Sequence, residues 1–217
     1  MMKIQAGSKL LFLGDSITDA GRTRPVGEGL FDPMGKGYVN VVTGLLGTCY
    51  PELDIRVVNM GCSGDTVRSL KARWQTDVAE RKPDWLVVMI GVNDVWRQFD
   101  MPLIKEEHVY IDEYEKTLDE LAAEGKKLAC GGLVMMTPHY IEPNRADAMR
   151  AMMDKYGQVV RKLAAKHDAI FVDVQGGFDR VLKHCHPNAL AWDRVHPNIT
   201  GHSIIAKAFL DAVGFEF

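Results

Sequence analysis

Five short apolar runs recur along the chain with longer segments of helical period between them: Lys9–Leu13, Ile55–Asn59, Trp85–Ile90, Leu133–Met136 and Ile170–Val174. Within each run the apolar residues are nearly continuous. A strand with one wet face alternates apolar with polar; a nearly continuous one is dry on both faces, which requires a parallel sheet covered by helices above and below. The intervening segments supply those helices. Val67, Leu70, Trp74 and Val78 share one stripe, Tyr114, Leu118 and Leu121 a second, and Met149, Met152, Tyr156, Val159 and Leu163 a third. Ile205, Ala208, Phe209 and Ala212 form a fourth, and Tyr38 to Leu46 is a shorter candidate. The pattern is that of an α/β chain with repeated right-handed strand–helix–strand crossovers. Its 217 residues suit one domain spanning 1–217. The longest polar and glycine-rich interruption, Asp19–Lys36, is expected to wrap an edge of the functional site.

Composition narrows the partners. Lys plus Arg number 26 against 29 for Asp plus Glu, a formal charge of -3, so no strong field gathers nucleic acid or an anionic membrane. The four cysteines, Cys49, Cys62, Cys130 and Cys185, are far apart and form no CxxC pair. They read as free thiols in a reducing compartment. No stretch approaches the ~20 apolar residues of a membrane span, and no signal-peptide core follows Met1 to Lys9, so the expected location is cytoplasmic.

Ligands of an open parallel sheet bind outside the carboxyl ends of its strands, and the chemically informative residues fall there. Gly14-Asp15-Ser16-Ile17-Thr18 follows the first run, Asn59-Met60-Gly61-Cys62-Ser63-Gly64-Asp65 the second, and Gly91-Val92-Asn93-Asp94 the third. Asp193-Arg194-Val195-His196-Pro197 precedes the terminal helix. A serine at a strand-to-helix turn is either a helix cap or a nucleophile, and as a nucleophile Ser16 needs a base. Asp193 and His196 are spaced so that the carboxylate reaches one imidazole nitrogen and leaves the other for a serine; a surface ion pair before a proline turn is the plainer alternative. Acyl transfer also needs donors for a developing oxyanion. The Ser16 N–H, a Gly61 N–H unobstructed by a side chain, and the Asn93 amide are the candidates. A capping role for Asn93 and a turn-permitting role for Gly61 remain open at this level. Asp15 reads as an acceptor for backbone N–H groups beneath the serine turn.

These four blocks resemble those of SGNH hydrolases, the GDSL esterase/lipase superfamily, over nearly the whole chain. The resemblance implies a flavodoxin-like three-layer α/β/α sandwich with a central sheet of about five parallel strands. It implies Ser16 as nucleophile, Asp193 and His196 as its triad partners, and Ser16, Gly61 and Asn93 as the oxyanion hole, with no metal or organic cofactor. The segments Lys82-Pro83-Asp84-Trp85, Asn93-Asp94-Val95-Trp96-Arg97-Gln98 and Ala191-Trp192-Asp193 are further similar to those of intracellular bacterial acetylxylan esterases. That likeness implies removal of O-acetyl groups from xylo-oligosaccharides and a homo-oligomeric state. The methionine-rich segment Met149–Met153 and the apolar tail Phe209–Phe217 are candidate subunit contacts or core.

Around this machinery, Trp192 is expected either to line the substrate site or to pack in the core. Trp96 either borders the site or anchors its loop, and His139 is a candidate substrate contact at a strand's carboxyl end. His184, Cys185 and His186 invite a metal reading but fit a loop better, and His167 and His202 read as helix-end or surface histidines. The same triad would serve a broad short-chain carboxylesterase, an acyl thioesterase or a lysophospholipase. A carbohydrate-binding protein on an esterase fold is the non-enzymatic alternative. The first turn lacks both GxGxxG and GxxxxGK[ST], so it has no nucleotide phosphate cradle.

Overall fold

A computed structural model describes all 217 residues. The five runs form strands β1 (Lys9–Gly14), β2 (Arg56–Asn59), β3 (Trp85–Met89), β4 (Gly132–Met136) and β5 (Ile170–Val172) of one sheet in the order β2-β1-β3-β4-β5. Every pairing is parallel, with Leu10 opposite Val57 on one side and Trp85 on the other. Leu10 through Leu13 and Leu86 through Met89 are buried on both faces, the physical reason their sequence does not alternate. The last strand is shorter than its apolar run. Asp173 caps the next helix by accepting the Gly176 N–H at 2.9 Å, so Val174 belongs to that helix.

The helices are α1 (Ser16–Asp19), α2 (Tyr38–Cys49), α3 (Val67–Ala72), α4 (Val92–Asp100), α5 (Ile111–Leu128), α6 (Ala148–Lys166), α7 (Val174–Val181) and α8 (Ile199–Ala212). On one side α8 packs between α2 and α7; on the other α3, α5 and α6 pack in succession, giving an α/β/α sandwich. The stripe Val67–Val78 is not one helix. Regular geometry ends at Arg73, and a π-turn, Gln75–Ala79, keeps Trp74 and Val78 buried. The Arg73 guanidinium there donates to the Gly14 and Met60 carbonyls and pairs with Asp65 and Asp77, tying the break to the sheet's carboxyl end. No helix is long and apolar enough to cross a membrane.

Strand order reverses at β1: one crossover leads outward to β2, the next jumps back over β1 to β3. The carboxyl ends of β1 and β3 therefore diverge into separate loops, the crevice such sheets use for ligands. The segment Asp19–Lys36 crosses the β2 end of this crevice, where Gly27 makes an antiparallel bridge to Asn59. The Asn59 amide donates to the Thr18 and Met34 carbonyls at 2.7 and 2.9 Å, fastening both ends of that segment.

Candidate active site

β1 ends at Gly14, and Asp15 caps a single helical turn by accepting the Ile17 N–H at 3.0 Å. Ser16 is the first residue of that turn. Burial pushes the Asp15 carboxyl up to about 7, against the Ile17 bond and with the nearby Asp94 reinforcing the rise. Ser16 Oγ lies 2.8 Å from His196 Nε2, and His196 Nδ1 lies 2.6 Å from Asp193 Oδ2. An ionised carboxylate only accepts, so Nδ1 carries the proton and Nε2 presents its lone pair to the serine hydroxyl. The other Asp193 oxygen accepts the Val195 and His196 N–H groups at 2.9 and 2.7 Å. Partial burial alone would raise the Asp193 carboxyl. The His196 bond and the two backbone donors outweigh it and hold the group below the usual carboxylate range.

The donors for an oxyanion are arranged differently from expectation. Gly61 is buried, and its N–H already donates to Asn59 Oδ1 at 2.9 Å. A Cβ there would collide with the Thr18 and Asp19 backbone, so this glycine lets the loop pack against the serine turn. It is not a free donor. Gly64, three residues on, is exposed, has φ +86°, and its N–H makes no hydrogen bond within the chain. Its neighbours bracket the site: Ser63 N and Oγ both donate to Asp19 of the serine turn, and the Asp65 carbonyl accepts from Asn93 Nδ2 at 2.9 Å. Asn93 is buried in the first turn of α4, whose cap is Gly91, so it does not cap that helix. One amide hydrogen is committed to Asp65 and the second is left over. Arg97, one turn on, donates to Asn93 Oδ1 at 3.1 Å and fixes which way the amide points. Ser16, at the start of α1, has an N–H with no intrahelical partner.

A nucleophile–base–carboxylate chain beside three unengaged donors is the layout of an acyl-transfer site. The sequence pattern of the GDSL-like Lipase/Acylhydrolase family matches residues 12–204, which take in all of these groups. The chain belongs to that family. An acetylxylan esterase of Geobacillus stearothermophilus is 59% identical over 216 residues, 100% of this chain and 98% of the relative. The crystal structure of that organism's Axe2, an acetylxylan esterase, superposes with a TM-score of 0.98 at 60% identity, covering 99% of this chain and 98% of the other. Three further Axe2 structures are described as catalytic mutants in which a serine, an aspartate and a histidine are each replaced by alanine. That aspartate and histidine are three residues apart, as Asp193 and His196 are. LAE5, an α/β hydrolase enzyme from the metagenome of Lake Arreo in Spain, matches with a TM-score of 0.97 at 56% identity over 99% of this chain and 98% of its own.

In this acylhydrolase the Ser16–His196–Asp193 chain of contacts is open to solvent: the His196 side chain is 44% exposed. The Trp96 ring stands 5.6 Å from the imidazole, with the Arg97 guanidinium over its face at 5.0 Å, so Trp96 borders the site. Trp192 is not a core residue; it is 90% exposed and immediately precedes Asp193. His139 is wholly buried and stacked on Phe178 at 4.5 Å, which removes it as a substrate contact. Burial pushes its pKa down to about 3, so it is neutral. His202 is also not at the surface: its Nδ1 accepts the Tyr38 N–H at 3.2 Å, and burial lowers it to about 4. In the His184–His186 loop, His186 Nδ1 accepts the Asn188 N–H and Cys185 Sγ donates to the Val181 carbonyl. The residues not anticipated in their site roles are Gly64, the Asp65 carbonyl and Arg97. Arg97 was legible as the i+4 neighbour of Asn93 on a helix.

Proposed function

We propose that the protein is a serine esterase that removes O-acetyl groups from xylo-oligosaccharides. Ser16 Oγ attacks the ester carbonyl while His196 Nε2 takes its proton, and Asp193 stabilises the imidazolium. The oxyanion accepts from the Ser16 and Gly64 N–H groups and from the spare hydrogen of Asn93 Nδ2. Collapse breaks the ester C–O bond, and His196 returns the proton to the departing sugar oxygen, leaving acetyl-Ser16. Water, deprotonated by His196, then attacks the acetyl carbon; acetate leaves and Ser16 regains its proton.

The observation that carries this reading is the 2.8 Å contact from Ser16 Oγ to a histidine whose other nitrogen is held at 2.6 Å by Asp193. Whole-length identity to the Geobacillus acetylxylan esterase supports the substrate, as does an exposed tryptophan beside the triad, a surface on which a sugar ring stacks. The test is acetate release from acetylated xylo-oligosaccharides, set against aryl acetates and acyl-CoA, with Ser16→Ala as control. Equal or faster turnover of long acyl chains overturns the acetyl preference, and turnover that survives Ser16→Ala overturns the nucleophile. Binding of the oligosaccharide without acetate release returns the non-enzymatic alternative.

We infer in addition a homo-oligomer in a reducing cytoplasm. Support for the first is the exposure of Leu30, Phe31, Leu103 and Phe217, large apolar side chains facing water in one chain. Support for the second is that all four thiols are free. A solution mass equal to one chain overturns the oligomer.

A further inference from the structure

Asp193 reaches His196 through a turn that has to be held in shape. With one oxygen of Asp193 accepting both the Val195 and His196 N–H groups, the other is aimed at Nδ1. Closing that turn places Arg194 at φ +64°, the left-handed region that a residue with a Cβ occupies only at a cost. Contacts from outside the turn offset that cost. The base of the loop is closed by an antiparallel bridge between Ala191 and Pro197, which flanks the turn without touching Arg194 itself.

The segment after β4 does touch it, at two points. The Ile141 N–H donates to the Arg194 carbonyl at 2.9 Å, and the Arg194 guanidinium pairs with Glu142 Oε2. Glu142 is itself immobilised. Its Oε1 accepts the Asn144 N–H at 2.8 Å, and its carbonyl accepts from the buried Arg150. Arg150 in turn pairs with Asp154 at 2.8 Å and Asp179 at 2.7 Å, fixing the strap to α6 and α7. Neighbouring Tyr140 donates its N–H to Gln175 Oε1 at 2.8 Å. The Glu142 side chain is only 10% exposed and that of Arg194 38%, so the pair is anchored from the Glu142 side.

We propose that Glu142 is a positioning residue for the triad: through Arg194 it clamps the Asp193–His196 turn in the left-handed form that aligns His196 with Ser16. The proposal rests on the triad reading above. It requires that releasing the clamp impairs proton transfer and leaves substrate binding alone.

The test is steady-state hydrolysis of 4-nitrophenyl acetate by Glu142→Ala, Arg194→Ala, Arg194→Lys, Arg194→Gly and the double variant Glu142→Ala/Arg194→Gly, with a thermal melt for each. Arg194→Ala leaves the bonds of Glu142 to Asn144 and Arg150 intact, so it stands in if Glu142→Ala does not fold. Glu142→Ala and Arg194→Ala are expected to lower kcat about tenfold or more with KM within about twofold, since small misplacements of catalytic groups cost rate. Arg194→Lys keeps a cation for Glu142 and recovers most of the loss. Glycine adopts φ +64° without strain, so Arg194→Gly stays within about threefold of wild-type kcat. On that background Glu142→Ala has no further effect. If Ser16→Ala is inactive while Glu142→Ala and Arg194→Ala keep wild-type kcat, the clamp is refuted and the triad stands. Equal losses in Arg194→Ala and Arg194→Gly also refute it. Activity in Ser16→Ala brings down both.

Discussion

Replacing Asn93 by alanine separates two roles of one amide by two independent measurements. The amide gives one hydrogen to the Asp65 carbonyl at 2.9 Å and receives the Arg97 guanidinium at 3.1 Å. Its second hydrogen is the one assigned to the oxyanion. Loss of a preorganised oxyanion donor costs about 3–4 kcal/mol of transition-state stabilisation, so kcat is expected to fall about 100- to 1,000-fold with KM little changed. Separately, Asp65 is a buried residue whose carbonyl would lose its partner, which lowers folding stability by about 1–3 kcal/mol. Stopped assays of aryl acetate hydrolysis read the first quantity and urea unfolding reads the second. Asn93→Asp sharpens the comparison. A carboxylate still accepts from Arg97, but it cannot donate to Asp65 and it repels the oxyanion, so kcat falls below that of Asn93→Ala. A kcat within tenfold of wild type in the alanine variant refutes the donor assignment, and unchanged stability refutes the tie to Asp65.

Gly61→Ala is expected to lower stability by about 1–3 kcal/mol in thermal unfolding, because its Cβ meets the backbone of the serine turn and not a movable side chain. The Asp15 carboxyl, raised by burial to about 7, binds its proton more tightly folded than unfolded. Its contribution to stability is therefore full below about pH 4 and lost as pH rises through about 7. Asp15→Asn keeps an acceptor for Ile17 and removes that titration, so the unfolding free energy of the variant minus that of wild type should increase between those pH values. A flat difference refutes the shift. Trp192→Ala, at an exposed position, should leave stability within about 0.5 kcal/mol while raising KM for acetylated xylo-oligosaccharides more than for 4-nitrophenyl acetate; equal effects on both substrates exclude sugar stacking.

The strands were legible because burial on both faces writes itself directly into composition: each observed strand lies within two residues of its apolar run. The Ser16–His196–Asp193 contact chain was legible for a related reason, since Ser16 follows one such strand and Asp193 and His196 lie within one turn of chain. The glycines were not. Gly61 and Gly64 occupy the same loop and differ in where their N–H groups point, which a residue type does not encode. One local signal was available: an asparagine commonly binds the N–H two residues on, so Asn59 lays claim to Gly61. His139 illustrates the converse. Its place after β4 is readable, but its burial depends on Phe178, which only the folded chain brings against it. The break at Arg73 has the same origin, as its partners Gly14, Met60 and Asp65 come from two other strand ends.

Ser16 and the histidine it contacts stand at opposite ends of the chain's order. Ser16 follows the first strand, whereas Asp193 and His196 follow the fifth, just ahead of α8, which packs on α2. A ribosome making this chain N-terminus first therefore finishes the Ser16 turn 180 residues before it adds His196. The Ser16–His196 contact can close only after nearly the whole chain has been made.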